Sequence, residues 1–197
     1  MKKIRNRIIF VIAGLAMLFL IVFFIHQSWS AKKTNKTEKD TYDNNIDILN
    51  NSYPTDIIIY GEKIPFRETL IVRTVDRISE DILKTDKERQ IIILSDLDGT
   101  LQIDDEELMI IKNKVNNLQC DFYYLGTNLI DKLINLEFID AWPENDYCVA
   151  LCKNNNTLYR YYGVWTESDK QATSDNRISL GHVLVSNFTH ILKEEYQ

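Results

Sequence analysis

Proline and glycine are scarce in this chain, three and six among 197 residues, and cysteine is scarcer than a disulfide scaffold requires. The low Pro and Gly counts exclude collagen-like and low-complexity classes, and an odd total of three cysteines excludes a disulfide framework. No acidic residue occurs before Glu38, whereas Lys2, Lys3, Arg5 and Arg7 stand at the start. Lys32, Lys33 and Lys36 follow the first apolar run, but the balance from there on is acidic. The net charge is −6, and four basic residues precede the first apolar run, so the chain beyond that run carries −10. A phosphate backbone needs a cationic footprint, so nucleic acid is excluded as a partner.

What the chain does have is one long uncharged run, Ile8 to Ile25, of which fourteen of eighteen residues are Ile, Leu, Phe or Val. As a helix it would extend about 27 Å, close to the hydrocarbon thickness of a bilayer. The lipid bilayer is therefore an expected partner of residues 8–25. The basic cluster ahead of the run sets the amino terminus inside and the rest outside. The expected organisation is a cytoplasmic tail over 1–7, a transmembrane helix over 8–25, a polar tether over 26–55 and an extracytoplasmic domain over 56–197. The alternative is a signal peptide cleaved near Ser30, because Ser28-Trp29-Ser30-Ala31 offers small residues at a suitable spacing and would release a secreted domain. The tether, rich in Asn, Thr and Lys, has the composition of an extended coil.

From Asp56 onward, short apolar runs alternate with helical patterns. Ile57-Ile58-Ile59-Tyr60, Ile91-Ile92-Ile93-Leu94 and Phe122-Tyr123-Tyr124-Leu125 read as strands buried on both faces. Between the first two, Pro65 suits the first position of a helix carrying Ile71, Val75, Ile78 and Ile82. Asp104, with Glu107 three places on, reads as a capping box for a helix with Leu108, Ile111, Val115 and Leu118 inward. Asn128 is the expected cap of a helix carrying Leu129, Leu133 and Leu136. Tyr147–Lys153 and Thr157–Trp165 read as a hairpin about Asn154-Asn155-Asn156. Glu167–Arg177 reads as a polar loop. A final helix, capped by Ser179, sets Leu180, Val183, Leu184, Phe188, Ile191 and Leu192 on one face. The expected fold class is α/β, a Rossmann-like three-layer domain with a mostly parallel sheet of three to five strands and a C-terminal hairpin and helix.

One segment carries chemistry. Asp96-Leu97-Asp98-Gly99-Thr100-Leu101 directly follows the second strand, and sites in open α/β sheets form at the carboxyl ends of strands. Two carboxylates at i and i+2, with a turn glycine and a threonine after them, can gather oxygens for a hard cation such as Mg²⁺. Asp96 could equally serve as a carboxylate nucleophile with Asp98 as its acid/base partner. The plain alternative is structural: Asp96 caps a backbone turn and Asp98 is solvated.

The string Ile91-Ile92-Ile93-Leu94-Ser95-Asp96-Leu97-Asp98-Gly99-Thr100-Leu101 resembles the first motif of haloacid-dehalogenase superfamily phosphohydrolases. Leu125-Gly126-Thr127-Asn128 is similar to their second. The resemblance implies a Rossmann-like fold with Mg²⁺ at Asp96 and Asp98, Asp96 as phosphorylated nucleophile, Asp98 as acid/base and Thr127 as phosphate ligand. It covers residues 91–128 only. No downstream acidic motif follows, and Lys132, Lys153 and Lys170 are the lysines nominally available for the third. Asp96-x-Asp98-x-Thr100 is also similar, more loosely, to the metal-adhesion motif of von Willebrand factor A domains. Two function classes follow: a non-catalytic interaction or display domain with an unidentified protein or small-molecule partner, and a Mg²⁺-dependent phosphohydrolase.

The remaining polar features read as structural. Cys148 and Cys152, about 13 Å apart along a strand, are too far apart to bridge, and with Cys120 read as small buried hydrophobes. His182 and His190 find no third ligand, and Tyr159, Tyr161, Tyr162 and Trp165 read as cross-strand packing on the hairpin.

Overall fold

The computed structural model describes residues 41–141, 148–154, 156–163 and 174–195. The expected membrane span and the basic start lie outside them, as do Tyr147, Trp165 and Lys170. Among the described residues no helix is long and apolar enough to cross a membrane. Contacts divide the chain into two compact units, Met1–Asp43 and Asn44–Gln197. Of the first, only residues 41–43 are described, and they are helical.

The second unit begins earlier than the apolar pattern indicates. In it, residues read from the sequence as the end of a tether are helical over 44–47 and pass through a π-helical turn, Ile48–Ser52, with Ile46 and Leu49 buried. Asn50 fastens this segment to the chain beyond the first strand, donating from Nδ2 to the Thr69 carbonyl at 2.7 Å.

The sheet has six strands: β1 (Thr55–Gly61), β2 (Val72–Val75), β3 (Arg89–Ser95), β4 (Asp121–Leu125), β5 (Cys148–Asn154) and β6 (Thr157–Gly163). Their spatial order is β2-β1-β3-β4-β5-β6. The first four run parallel, while β5 and β6 form an antiparallel hairpin added at β4. The fold is thus mixed α/β with a mostly parallel sheet. β3 sits near its middle, and all seven of its residues are buried. That is why Ile91–Leu94 within it is an unbroken apolar run rather than an alternating one. Asn156, at φ 62°, supplies the left-handed residue that the hairpin turn needs.

One face of the sheet, with Ile58, Ile92, Leu94, Phe122 and Tyr124, packs against Leu108, Ile111 and Val115 of α1 (Asp105–Asn116) and Leu133 of α2 (Ile130–Asn135). On the other face Tyr123 meets Phe188 of α3 (Ser174–Glu195), ring edge to ring face at 5.0 Å. The Tyr123 hydroxyl donates to Asn187 Oδ1 at 2.8 Å.

Five expectations need correction. The sheet has six strands rather than three to five, because β2 adds an edge strand that the apolar runs do not mark. The stretch after Pro65 forms no helix; it contains β2, whose Val72-Arg73-Thr74-Val75 is rich in β-branched residues that favour the pleated backbone over the helical one. The helical spacing of Ile71, Val75, Ile78 and Ile82 was coincidental: Ile71 is 71% exposed, and Ile78 is buried from a loop. Asn128 does not cap α2; its amide donates to the Leu101 carbonyl at 3.4 Å instead. α3 starts at Ser174, five residues before the expected cap, because Ser174 and Asp175 suit a first turn as well as Ser179 does. Val183 is 64% exposed on that helix, and Val185 takes its place in the core. The capping box of α1 is present as read: Asp104 Oδ1 accepts from Glu107 N–H at 2.8 Å, and Glu107 Oε2 from Asp104 N–H at 3.2 Å.

Strand order places the candidate site. From β1 the chain moves outward to β2 and then returns past β1 to β3. The outward connection, 62–71, lies on the α3 side, where Gly181 abuts Pro65 and Phe66. The return connection, 76–88, lies on the α1 side, with Ile78 and Leu83 in that core. The connections diverge between β1 and β3, and such switch points are where open α/β sheets hold ligands, at the carboxyl ends of the strands.

Candidate functional site

Asp96 is the first residue past β3 and stands at that switch point. Its side chain is 2% exposed. Oδ1 accepts from the Leu101 N–H at 2.8 Å, and Oδ2 accepts from the Tyr124 hydroxyl at 2.8 Å. The same hydroxyl oxygen accepts from the Leu129 N–H at 2.8 Å, so Tyr124 links the carboxylate to the start of α2. Burial pushes the pKa of Tyr124 far above the usual phenol range, the Leu129 bond opposing and the adjacent carboxylate reinforcing it. The hydroxyl therefore stays protonated, as a donor to Asp96 must.

These bonds fold residues 96–101 back over the sheet edge and seat the Leu101 side chain at the switch point. The consequences are visible at two glycines. A Cβ on Gly61, at φ 101°, would lie 2.3 Å from the Ser95 carbonyl oxygen and 2.7 Å from Leu101 Cδ1. A Cβ on Gly126, at φ 153°, would lie 2.5 Å from the Asp96 carbonyl oxygen. The carboxyl end of β1 is thus crowded by the Ser95 carbonyl and by Leu101, and the start of the loop after β4 by the Asp96 backbone. Three more side chains pin the loop. Asn128 binds the Leu101 carbonyl, Tyr60 donates from its hydroxyl to the Gln102 carbonyl at 2.7 Å, and Lys132 donates from Nζ to the Ile103 carbonyl at 2.5 Å.

The other residues picked out from the sequence lie close in the chain but are placed differently. Asp98 is exposed, and its Oδ1 accepts from both the N–H and the hydroxyl of Thr100, at 3.0 and 2.8 Å. Thr127 is exposed just past β4. Lys132 also pairs with Asp105 at 2.9 Å. Lys153 lies at the opposite end of the sheet, where its N–H donates to Asp121 at 2.9 Å.

As a magnesium site the donor set fits poorly. The ion asks for several oxygens converging at octahedral angles. Here each Asp96 oxygen already receives a hydrogen bond inside the fold, and Asp98 is turned onto its own Thr100. Among the described residues no group of three His, Cys, Asp or Glu side chains is gathered to hold a metal ion. His190 pairs with Glu194 at 3.2 Å. The cysteines are free; Cys120 and Cys152 are buried and Cys148 is half-buried, with burial pushing the Cys120 thiol up to about 12. Tyr159 and Tyr161 stack at 6.4 Å on the hairpin and remain partly exposed.

A second buried cluster went unseen in the sequence. At the amino ends of β3 and β4, Arg89 donates from Nε and Nη2 to Asp121 Oδ2, at 2.8 and 2.5 Å, with both side chains 3% exposed or less. Arg89 Nη2 also reaches the Lys153 carbonyl at 3.3 Å, tying β3, β4 and β5 together. Beside it Arg73 makes a bidentate pair with Asp56 at 2.8 and 2.6 Å, and Gln90 Nε2 donates to Asp56 Oδ2 at 2.8 Å. Each residue stands at the amino end of its own apolar run; only the register, Ile91 beside Asp121, brings Arg89 and Asp121 within reach of one another.

No family model matches this chain, and neither a curated protein nor a solved structure matches it.

Proposed function

We propose that this chain is a single-pass membrane protein, amino terminus inside, that displays an acidic, Rossmann-like three-layer α/β domain outside the cytoplasm as a non-catalytic interaction domain. The anchor is the run Ile8–Ile25, with the basic residues confined ahead of it. In this reading the Asp96–Leu101 segment is a strut, and the resemblance to haloacid dehalogenases is that of a relative whose nucleophile position has become structural. The observation that carries it is the bonding of Asp96: both carboxylate oxygens accept hydrogen bonds from the chain itself, and the loop they hold brings Leu101 against Gly61 at the switch point. A nucleophilic carboxylate needs one oxygen open to an in-line substrate.

The competing reading, a Mg²⁺-dependent phosphohydrolase with Asp96 as nucleophile, is favoured by the position of Asp96 at the carboxyl edge of a central strand. One preparation separates the two. In the full chain in detergent, millimolar Mg²⁺ is expected to leave the melting temperature unchanged and to elicit no hydrolysis of para-nitrophenyl phosphate. A rise in melting temperature with Mg²⁺, lost in Asp96→Asn together with hydrolysis, would establish the enzyme instead, because a ligand stabilises only by binding the native state. Topology is read separately: a reporter fused after residue 197 should be active only outside the cytoplasm, and membrane fractionation should recover the full-length chain rather than a shortened soluble one.

A further inference from the structure

Against Gly61 and Leu101, the carboxyl ends of β1 and β2 leave a recess of about 710 Å³. That is the volume of a small-molecule site. Tyr60, Val75, Ile82 and Leu101 supply its apolar walls, and Thr74 and Asp76 its polar groups. We propose that this recess binds a small organic cation, an ammonium or guanidinium group on a short apolar stem.

Three observations support this independently of how Asp96 is used. Among the described residues no cation and no N–H donor is bonded to Asp76, an exposed carboxylate at the end of β2. Acidic groups stand close by: beyond its burial, the Tyr60 hydroxyl is pushed above the usual phenol pKa by Glu107, Asp104 and Asp76. Glu107, outside the recess lining, is held near Tyr60, since its Oε1 accepts from the Ile78 N–H at 2.8 Å while its Oε2 closes the capping box. The Tyr60 ring, part of the recess lining, is also fixed, by its hydroxyl bond to the Gln102 carbonyl, and an aromatic ring is a group that attracts cations. The charged groups flanking Asp76 are Arg77 on its own loop and Glu80 and Asp81 further along, so the local balance remains acidic. An anion would meet repulsion here, and a purely apolar ligand would strand the carboxylate beneath it.

The test uses the full chain in detergent with agmatine, n-butylamine and n-butanol as probes. Isothermal titration at low salt should show saturable binding of the two cations and none of the isosteric alcohol. Asp76→Asn should weaken n-butylamine binding about tenfold, and Tyr60→Leu by a similar factor. Tyr60→Phe keeps the ring face and should retain most of the affinity. Raising salt from 20 to about 300 mM should reduce affinity several-fold, because the field is only partly buried. Equal binding of n-butanol, unchanged affinity in Asp76→Asn, or no binding of either amine would each overturn the proposal. Asp76 is exposed, so its replacement leaves folding intact, and an unchanged melting temperature of that variant verifies it.

Discussion

The sheet buries a carboxylate at each end of its β3–β4 pair, and it meets the two charges in different ways. At the carboxyl end Asp96 is held by neutral donors, the Leu101 N–H and the Tyr124 hydroxyl. At the amino end Asp121 is met by a guanidinium, with the Lys153 N–H on its other oxygen. Each is 2% exposed. An ion pair out of water is held by charges that must both be present, so removing one partner strands the other. A carboxylate satisfied by neutral dipoles can lose a donor and keep most of its surroundings. The amino end is therefore the brittle one, joining three strands through a single pair. The carboxyl end is the shaped one, where the same kind of side chain sets the path of a loop.

The comparison can be broken most directly at the amino end. Arg89→Met leaves Asp121 buried without its counter-charge and should destabilise the domain by about 3–5 kcal/mol, read from urea unfolding. The double variant Arg89→Met with Asp121→Leu should recover most of that loss, short by about 1–3 kcal/mol for the Lys153 N–H left without an acceptor. A single-variant cost below about 1 kcal/mol would mean that the pair is solvated and the contrast false.

At the carboxyl end Asp96→Ala removes the acceptor of two buried donors and should cost about 2–4 kcal/mol. Asp96→Asn keeps the acceptor for Leu101 but offers an amide to a hydroxyl that must itself donate, and should cost about 1 kcal/mol. If Asp96→Asn instead raised stability, the site would be relieving repulsion, as a site built for a cation does.

Tyr124→Phe sharpens the contrast further. It removes the hydroxyl linking Asp96 to the Leu129 N–H and should cost about 1–2 kcal/mol. In a double-mutant cycle its effect should be strongly non-additive with Asp96→Ala, since both act on one network.

The smallest effect concerns pH. Burial alone would raise the Asp56 carboxyl, but its hydrogen bonds to Arg73 and Gln90 and the charge of Arg73 outweigh that and hold it below its ordinary 3.8. A lowered carboxyl contributes stability above the unfolded-state value and loses it as the pH falls through the folded one. The pair should therefore add under about 1 kcal/mol after solvent screening, present above about pH 4 and fading below it. Unfolding of Asp56→Asn from pH 6 down to pH 2 should lack that part of the acid slope.

Much of this architecture is legible along the chain because it is local. Ile57–Tyr60, Ile91–Leu94 and Phe122–Leu125 are strands where the apolar runs place them, and Asp104 with Glu107 closes the box expected of them. β2 was not legible, because four β-branched and polar residues at an edge give a pattern shorter than one helical repeat. Of the site, the location of Asp96 was visible and its bonding was not. Tyr124 gave one signal: a tyrosine in a strand buried on both faces must find a partner for its hydroxyl.

By itself the sequence determined the apolar run ahead of the folded unit, the acidic balance, the alternation of buried strands with helices, and a carboxylate at the end of a central strand. Each depends on composition or on neighbours within a few residues, where periodicity and capping act. The tertiary structure alone decided which residues meet: Arg89 with Asp121 across 32 positions, Tyr124 with Asp96 across 28, and Leu101 with Gly61 at the switch point. Those meetings follow from strand order and register, which no local pattern encodes, and they decide that the charge at Asp96 shapes a loop.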